Sequence, residues 1–132
     1  MSEGRGVVAR NPRGKYFSAE FVTPDPQEIV NALGVEPEAT GETQRIINLA
    51  DVTGEDLIFS YDAVGQSVAV RWCAPSGKVI LNLFREGARL LRVEEWNGRT
   101  QLVVKFETGD TVGEFRLQVF PEVSIAETSL LS

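Results

Sequence analysis

Apolar and polar residues alternate through about six short runs between Asp56 and Phe120, and each run ends in residues typical of turns. Because successive side chains of a strand point to opposite faces, each run has one mainly apolar face. The pattern therefore predicts an antiparallel β-meander. The predicted strands are residues 57–62, 67–73, 78–84, 89–96, 99–107 and 114–120.

The turns between these strands predict which residues face each other. Asn97-Gly98 is the strongest hairpin signal, because both central residues of a type I′ turn need a positive φ. Pro75 and Gly77 favour a turn at 74–77. A bulged hairpin at 85–87 requires Gly87 in the left-handed conformation. The predicted facing pairs are Trp96 with Arg99, Val93 with Leu102, Leu91 with Val104, Trp72 with Val79, Val70 with Leu81, Tyr61 with Val68, Phe106 with Phe115, and Leu81 with Leu91.

The first half of the chain predicts one short helix. Asp25 is a suitable N-cap, Pro26 suits the first helical position, and Gly34 suits the end, which gives a helix over 26–33. Residues 35–43 are expected to form an acidic loop. Residues 44–49 fit either a strand or a helix, because a short apolar run does not fix its own period. Residues 15–22 contain aromatic and β-branched side chains that favour a strand.

These elements predict a flexible arm at residues 1–14 and a single globular domain at 15–132, with a mainly β (α+β) fold. About six strands make a sheet roughly 25 to 30 Å wide, whereas a helix of about eight residues is only about 12 Å long. The sheet must therefore curl towards a barrel, gain cover from residues 16–22 and 46–52, or pack against another subunit. We favour a strongly curled sheet with the helix at one side or end.

The composition predicts a soluble cytoplasmic protein. The single cysteine, Cys73, allows no internal disulfide, which fits a reducing compartment. No apolar run approaches the length of a membrane span, and no signal-peptide pattern follows Met1. We therefore expect no contact with a membrane.

The net charge of −6 is unevenly distributed. Residues 16–62 carry ten acids against Arg45 alone, whereas residues 63–132 balance eight acids with eight bases. This balance argues against nucleic-acid binding, which relies on Lys and Arg to neutralise phosphates. It suits a basic protein partner, and we predict that the partner faces Glu36, Glu38 and Glu42 in the acidic loop.

The outward-facing side chains of the meander form a second candidate surface. The predicted register lines up Ile58, Arg71, Ile80, Arg92 and Val103 across neighbouring strands, with Lys105 beside Arg116 in the next row. This face mixes apolar and basic side chains. Arg71, Ile80 and Arg92 are therefore candidate residues for binding a partner or for self-association, although scattered surface hydrophobics are also ordinary.

Catalytic chemistry has few candidate residues. The sequence contains no histidine, which removes the commonest general base and every His-containing triad. Glu94 and Glu95 are adjacent on a strand and so point to opposite faces. We predict no enzyme activity and no cofactor or metal site.

The sequence favours a non-catalytic protein-binding module, such as an inhibitor, an immunity protein or a regulatory accessory protein. The alternative is a small-molecule carrier, because a curled sheet can enclose an apolar cavity. Four inward aromatic residues would line that cavity: Phe59, Tyr61, Trp72 and Phe106.

Overall fold

The computed structural model describes residues 20–131, and its first helix, α1 (Pro26–Leu33), has the predicted bounds. The Asp25 carboxylate accepts a hydrogen bond of 2.8 Å from the Gln27 backbone N–H. The Glu28 carboxylate accepts one of 3.0 Å from the Asp25 N–H, which completes a capping box. Ile29 and Leu33 are buried, so the helix packs one apolar stripe against the core.

The first sheet has five strands in sequential order. They are β1 (Glu38–Thr40), β2 (Gln44–Asn48), β3 (Asp56–Asp62), β4 (Ser67–Cys73) and β5 (Val79–Glu86). The ambiguous segment is thus a strand, followed by the short helix α2 (Ala50–Thr53). The expected acidic loop at 35–43 was wrong in part, because its middle forms β1 and pairs with β2.

The second sheet has four strands, also in sequential order. They are β6 (Ala88–Trp96), β7 (Arg99–Thr108), β8 (Thr111–Phe120) and β9 (Ser124–Leu131). The sequence did not indicate β9, which pairs antiparallel with β8 along its whole length.

One hydrophobic cluster contains the inward side chains of both sheets and of α1. Its fully buried members include Ile29, Ile47, Leu57, Phe59, Leu91, Leu102, Phe115 and Leu117. The prediction of a mainly β fold with one N-terminal helix is confirmed, while the two sheets do not close into a barrel.

The meander passes from the first sheet to the second at Gly87. The predicted pairing of Leu81 with Leu91 was wrong, because β5 and β6 belong to different sheets. Gly87 has a φ of 84°. Its carbonyl accepts a hydrogen bond of 2.9 Å from the Glu107 N–H, and the Ala88 N–H donates one of 3.0 Å to the Gln66 carbonyl. The left-handed glycine therefore changes the chain direction where the sequence suggested a hairpin.

The Asn97-Gly98 hairpin has the predicted register. Asn97 and Gly98 have φ values of 56° and 75°. Three pairs are confirmed in this hairpin and a fourth between β3 and β4: Trp96 with Arg99, Val93 with Leu102, Leu91 with Val104, and Tyr61 with Val68.

Two other hairpins differ from their predicted register by two residues. Trp72 lies opposite Leu81 and Val70 opposite Leu83, and a bulge at Trp72/Cys73 supplies one residue of this shift. The β7–β8 turn contains only two residues, so Phe106 faces Gly113. A shift of two residues keeps each side chain on its face, which explains why the inward sets survive.

The predicted arm at residues 1–14 lies outside the described residues, as does most of the predicted strand at 15–22. Val22 pairs with Leu90 of β6 in an isolated parallel bridge. The Val22 N–H donates to the Arg89 carbonyl, and the Leu91 N–H donates to the Val22 carbonyl, both at 2.9 Å. This bridge occupies part of the outer edge of β6.

Candidate partner-binding surfaces

Three predicted partner-binding acids lie at one edge of the first sheet, which we call the acidic edge (Glu36, Glu38 and Glu42). Glu38 is in β1, the outermost strand, Glu36 precedes that strand, and Glu42 is in the turn before β2. All three side chains are exposed, and none forms an ion pair with another described residue. The acidic edge therefore presents its charge to solvent.

Four other acids of the first half serve the fold. Asp25 and Glu28 cap α1. Glu55 accepts a hydrogen bond of 2.7 Å from the indole N–H of Trp72. The backbone N–H of Gly65, helped by the Thr43 hydroxyl and the Val64 N–H, lowers the pKa of the Asp62 carboxyl. Their local hydrogen bonds distinguish these acids from the acidic edge.

A shallow cleft of about 290 Å³ lies beside the acidic edge. Glu42, Arg45, Tyr61 and Val64 are among its lining residues. Val64 is 75% exposed, so the cleft presents an apolar side chain as well as the Glu42 carboxylate. Burial of the Tyr61 ring raises the pKa of its hydroxyl, and the nearby Arg45 charge opposes that rise. This combination suits contact with a protein surface, where an apolar centre is flanked by charge.

The outer face of the first sheet carries two of the predicted residues, Arg71 and Ile80. Arg71 is exposed and lies between Ile58 of β3 and Asn82 of β5. Ile80 and Phe84 lie on the same face of β5 and are 52% and 59% exposed. Phe84 was not singled out from the sequence, although its parity with Ile80 indicated that it points outward.

The outer face of the second sheet is a network of ion pairs that contains the predicted residue Arg92. Arg92 contacts Glu94 at 2.6 Å, Glu94 contacts Arg116 at 3.0 Å, and Arg116 also pairs with Glu114. Lys105 completes the row with a contact of 3.1 Å to Glu114. The prediction that Lys105 lies beside Arg116 was wrong, because Lys105 faces Glu114 across the strands.

This ion-pair network covers an apolar residue. Val103 lies opposite Arg92 and Arg116 and has no exposed surface, yet it is not a member of the shared core cluster. The aliphatic stems of long charged side chains can cover apolar surface while their heads stay in water. The acidic and basic side chains of the network pair with each other, and together they shield Val103. Few unpaired groups therefore remain on this face.

Charge pairing also changes the acidity of the network. The hydrogen bond from Arg92 lowers the pKa of the Glu94 carboxyl, and Arg116 adds to the effect. Hydrogen bonds from Lys105 and then Arg116 lower the pKa of Glu114. Both carboxylates therefore stay ionised to a lower pH than free glutamates.

The predicted outward row is divided between the two sheets. Ile58 does face Arg71, and Arg92 does face Val103. Asn82, however, occupies the place beside Arg71 that was predicted for Ile80. The sheet break after β5 places Arg92 on a separate surface from Arg71 and Ile80.

The four residues predicted for a small-molecule cavity occupy different environments. Phe59 and Tyr61 are buried, with ring centroids 6.2 Å apart. Trp72 is partly buried against the core and directs its N–H to Glu55. Phe106 is likewise partly buried against the core, and it also lines two clefts near the β7–β8 turn.

Within residues 20–131, no group of three or more Cys, Asp or Glu side chains is arranged to hold a metal ion. In the same part of the chain, no helix has the length and apolar character needed to cross a membrane. The candidate sites described above are charged and apolar surfaces.

Comparison with known proteins gives one structural likeness. No protein-family model matches the sequence, and no curated protein matches it. The fold is similar to that of a chain in the contact-dependent growth inhibition toxin–immunity protein complex from Klebsiella pneumoniae 342, with a TM-score of 0.70 and 14% sequence identity. The alignment covers 82% of the present chain and 96% of the other. At this identity the likeness establishes a shared fold.

Proposed function

We propose that the protein is a non-catalytic immunity-type inhibitor that binds a basic toxin through its acidic edge. The observation that carries the proposal is that Glu36, Glu38 and Glu42 are exposed and unpaired among the described residues at one edge of the sheet. Asp25, Glu28 and Glu55, by contrast, accept hydrogen bonds from within the fold. The similar structure comes from a toxin–immunity protein complex, and the absence of histidine from this sequence favours the non-enzymatic partner.

Electrostatics gives the acidic edge a defined role. Opposite charges on two facing surfaces accelerate their association by about 10-fold to 1,000-fold. Salt screens this attraction beyond a Debye length of about 8 Å at physiological ionic strength. Exposed charges contribute little to folding. The three carboxylates should therefore increase the association rate with a basic partner while adding little to stability.

The other predicted contact residues, Arg71 and Ile80, lie on the outer face of the first sheet, and the toxin contact proposed here does not include them. A carrier function has weaker support, because Phe59 has no exposed surface and Tyr61, although it lines the cleft beside Glu42, is only 4% exposed. Both rings chiefly stabilise the core.

The test begins with capture of the partner on the immobilised protein and continues with growth assays. The captured protein should inhibit growth when it is expressed alone, and co-expression of the present protein should restore growth. Stopped-flow association is then measured at low and high salt for the wild type and for the Glu36→Lys/Glu38→Lys/Glu42→Lys variant. We expect the variant to associate at least about tenfold more slowly at low salt.

A matched control reverses three exposed acids of the second sheet and its connection. These are Glu95, Glu107 and Glu122. The control has the same net charge change, so it should associate faster than the acidic-edge variant if position matters. Equal rates for the two variants, or a partner with no effect on growth, would contradict the proposal.

A further inference from the structure

The outer edge of β5 is open among the described residues. β5 (Val79–Glu86) is the last strand of the first sheet and pairs with β4 on one side alone. Backbone N–H and C=O groups along an unpaired edge are available to another strand. An edge of eight residues is long enough for such pairing.

The middle of this edge lacks charge and proline, while a bulge at Ile80 lies near its start and the Arg85–Glu127 ion pair lies at its end. From Val79 to Phe84 the strand carries no charged residue and no proline, and Asn82 is its one polar side chain. Charges and prolines are the common devices that prevent edge pairing. Val79, Ile80 and Phe84 are 45%, 52% and 59% exposed.

The other described sheet edges differ from β5. β1 is only three residues long. Val22 forms hydrogen bonds along part of the β6 edge. β9 has mostly small polar or charged residues from Ser124 to Ser129. The apolar open edge of β5 therefore calls for a specific occupant.

The strand is complementary to itself in the antiparallel direction. If Asn82 faces Asn82 of a second copy, residues at equal distances on either side of it also face each other. Ile80 then meets Phe84 of the other copy on the outer face. At the ends, Lys78 meets Glu86 of the other copy, and the two-fold axis repeats both contacts.

We propose that β5 pairs antiparallel with β5 of a second copy of this chain, in the register centred on Asn82. The pairing joins two five-stranded sheets into one continuous ten-stranded sheet. It also removes Ile80 and Phe84 of both copies from water. Neither the acidic edge nor the identity of a toxin enters this reasoning, so the dimer stands or fails independently of the proposed function.

The first experiment measures self-association of the full chain by sedimentation over a concentration series. We expect a reversible dimer. Phe84→Lys should raise its dissociation constant at least about 100-fold, because two apolar contacts are replaced by buried charges. Phe120→Lys is the matched control, since Phe120 is 55% exposed and lies in β8 away from this edge.

A charge exchange then tests the register. Lys78→Glu places like charges at both ends of the interface and should raise the dissociation constant about tenfold. Adding Glu86→Lys to that variant restores both opposite-charge contacts and should restore dimerisation. No contact of Lys78 with Glu86 within one copy would produce this rescue, because Lys78 immediately precedes β5 and Glu86 is its last residue.

A cysteine at the symmetry centre gives an independent measurement. Facing residues of antiparallel strands have Cα atoms about 4.5 to 5.5 Å apart, which is within disulfide range. In a Cys73→Ala background, Asn82→Cys should therefore form an intermolecular disulfide under mild oxidation, whereas Glu122→Cys should not. A wild type that stays monomeric at all concentrations would overturn the proposal, as would a dimer unaffected by Phe84→Lys.

Discussion

The junction between the two sheets depends on a missing side chain at Gly87. Its φ of 84° lies in the left-handed region. A Cβ atom placed there would overlap Cγ2 of Thr108 and would lie 3.1 Å from the Glu107 carbonyl oxygen. The Gly87 carbonyl also accepts the Glu107 N–H at 2.9 Å, so the strands cannot separate without stretching that hydrogen bond. Gly87→Ala should therefore suffer both backbone strain and a steric clash.

A second glycine separates these two effects. Gly77 has a φ of 91°, and a Cβ atom there would meet nothing within 4 Å. Gly77→Ala should cost about 1 to 2 kcal/mol for the left-handed backbone alone. Gly87→Ala should cost about 1 kcal/mol more, as expected when a neighbouring side chain is forced from its preferred rotamer. Thr108→Ser removes the methyl group and should reduce that excess.

The assay is urea unfolding of the wild type, both alanine variants and the Gly87→Ala/Thr108→Ser variant, with Thr108→Ser as the reference for the last. Thermal unfolding should follow the same order, at roughly 3 to 5 °C per kcal/mol for a domain of this size. The reasoning would be refuted by equal costs at Gly77 and Gly87. It would also be refuted if the excess at Gly87 stayed unchanged in the Thr108→Ser background.

Two further predictions concern the second sheet. Glu94 and Glu114 have lowered pKa values in the folded protein, so the stability they contribute is present above the pKa of an unfolded glutamate and is lost as pH falls through their folded values. Between pH 7 and pH 3, the free energy of unfolding should fall less for the Glu94→Gln/Glu114→Gln variant than for the wild type. An unchanged pH dependence would contradict this prediction. Gly98→Val should destabilise the hairpin by about 1 kcal/mol or more, because a β-branched residue resists a positive φ. An unchanged urea midpoint for this variant would contradict the turn assignment.

Local sequence signals predicted the elements that have local causes. The capping residues of α1 lie within the helix and its flanks, and the prediction of 26–33 matched the observed bounds. The Asn97-Gly98 turn likewise fixes its own strand pairing, because both residues adopt the required positive φ. Such signals act over two to four residues and need no tertiary contact.

The errors arose where a tertiary contact decides the outcome. The 74–78 turn and the bulge at Trp72/Cys73 together shift the β4–β5 register by two residues, and alternation has the same appearance before and after such a shift. Gly87 was correctly expected to be left-handed, but whether it closes a hairpin or joins two sheets depends on its contact with Glu107. β9 has weak alternation, with Ile125 packed against the core and mostly polar neighbours. Its pairing with β8 supplies what its own sequence does not indicate.

The candidate surfaces were harder to predict than the strands, because pairing depends on the register of the sheet. The sequence pattern places both Arg92 and Arg71 on the outward face, yet the fold pairs Arg92 with Glu94 and leaves Arg71 exposed. Alternation predicted that Val103 faces outward. Its burial beneath charged side chains depends on neighbours from two other strands.

The two proposed binding surfaces lie at opposite edges of the same sheet. The acidic edge borders β1 and the dimer edge is β5, so four strand spacings of about 4.8 Å, or roughly 19 Å, separate them. This separation exceeds the Debye length of about 8 Å at physiological salt. Charge reversal at Glu36, Glu38 and Glu42 should therefore leave the dimer dissociation constant unchanged, and Phe84→Lys should leave the association rate with a basic partner unchanged. Each variant is thus a control for the other, because a general loss of folding would change both measurements together.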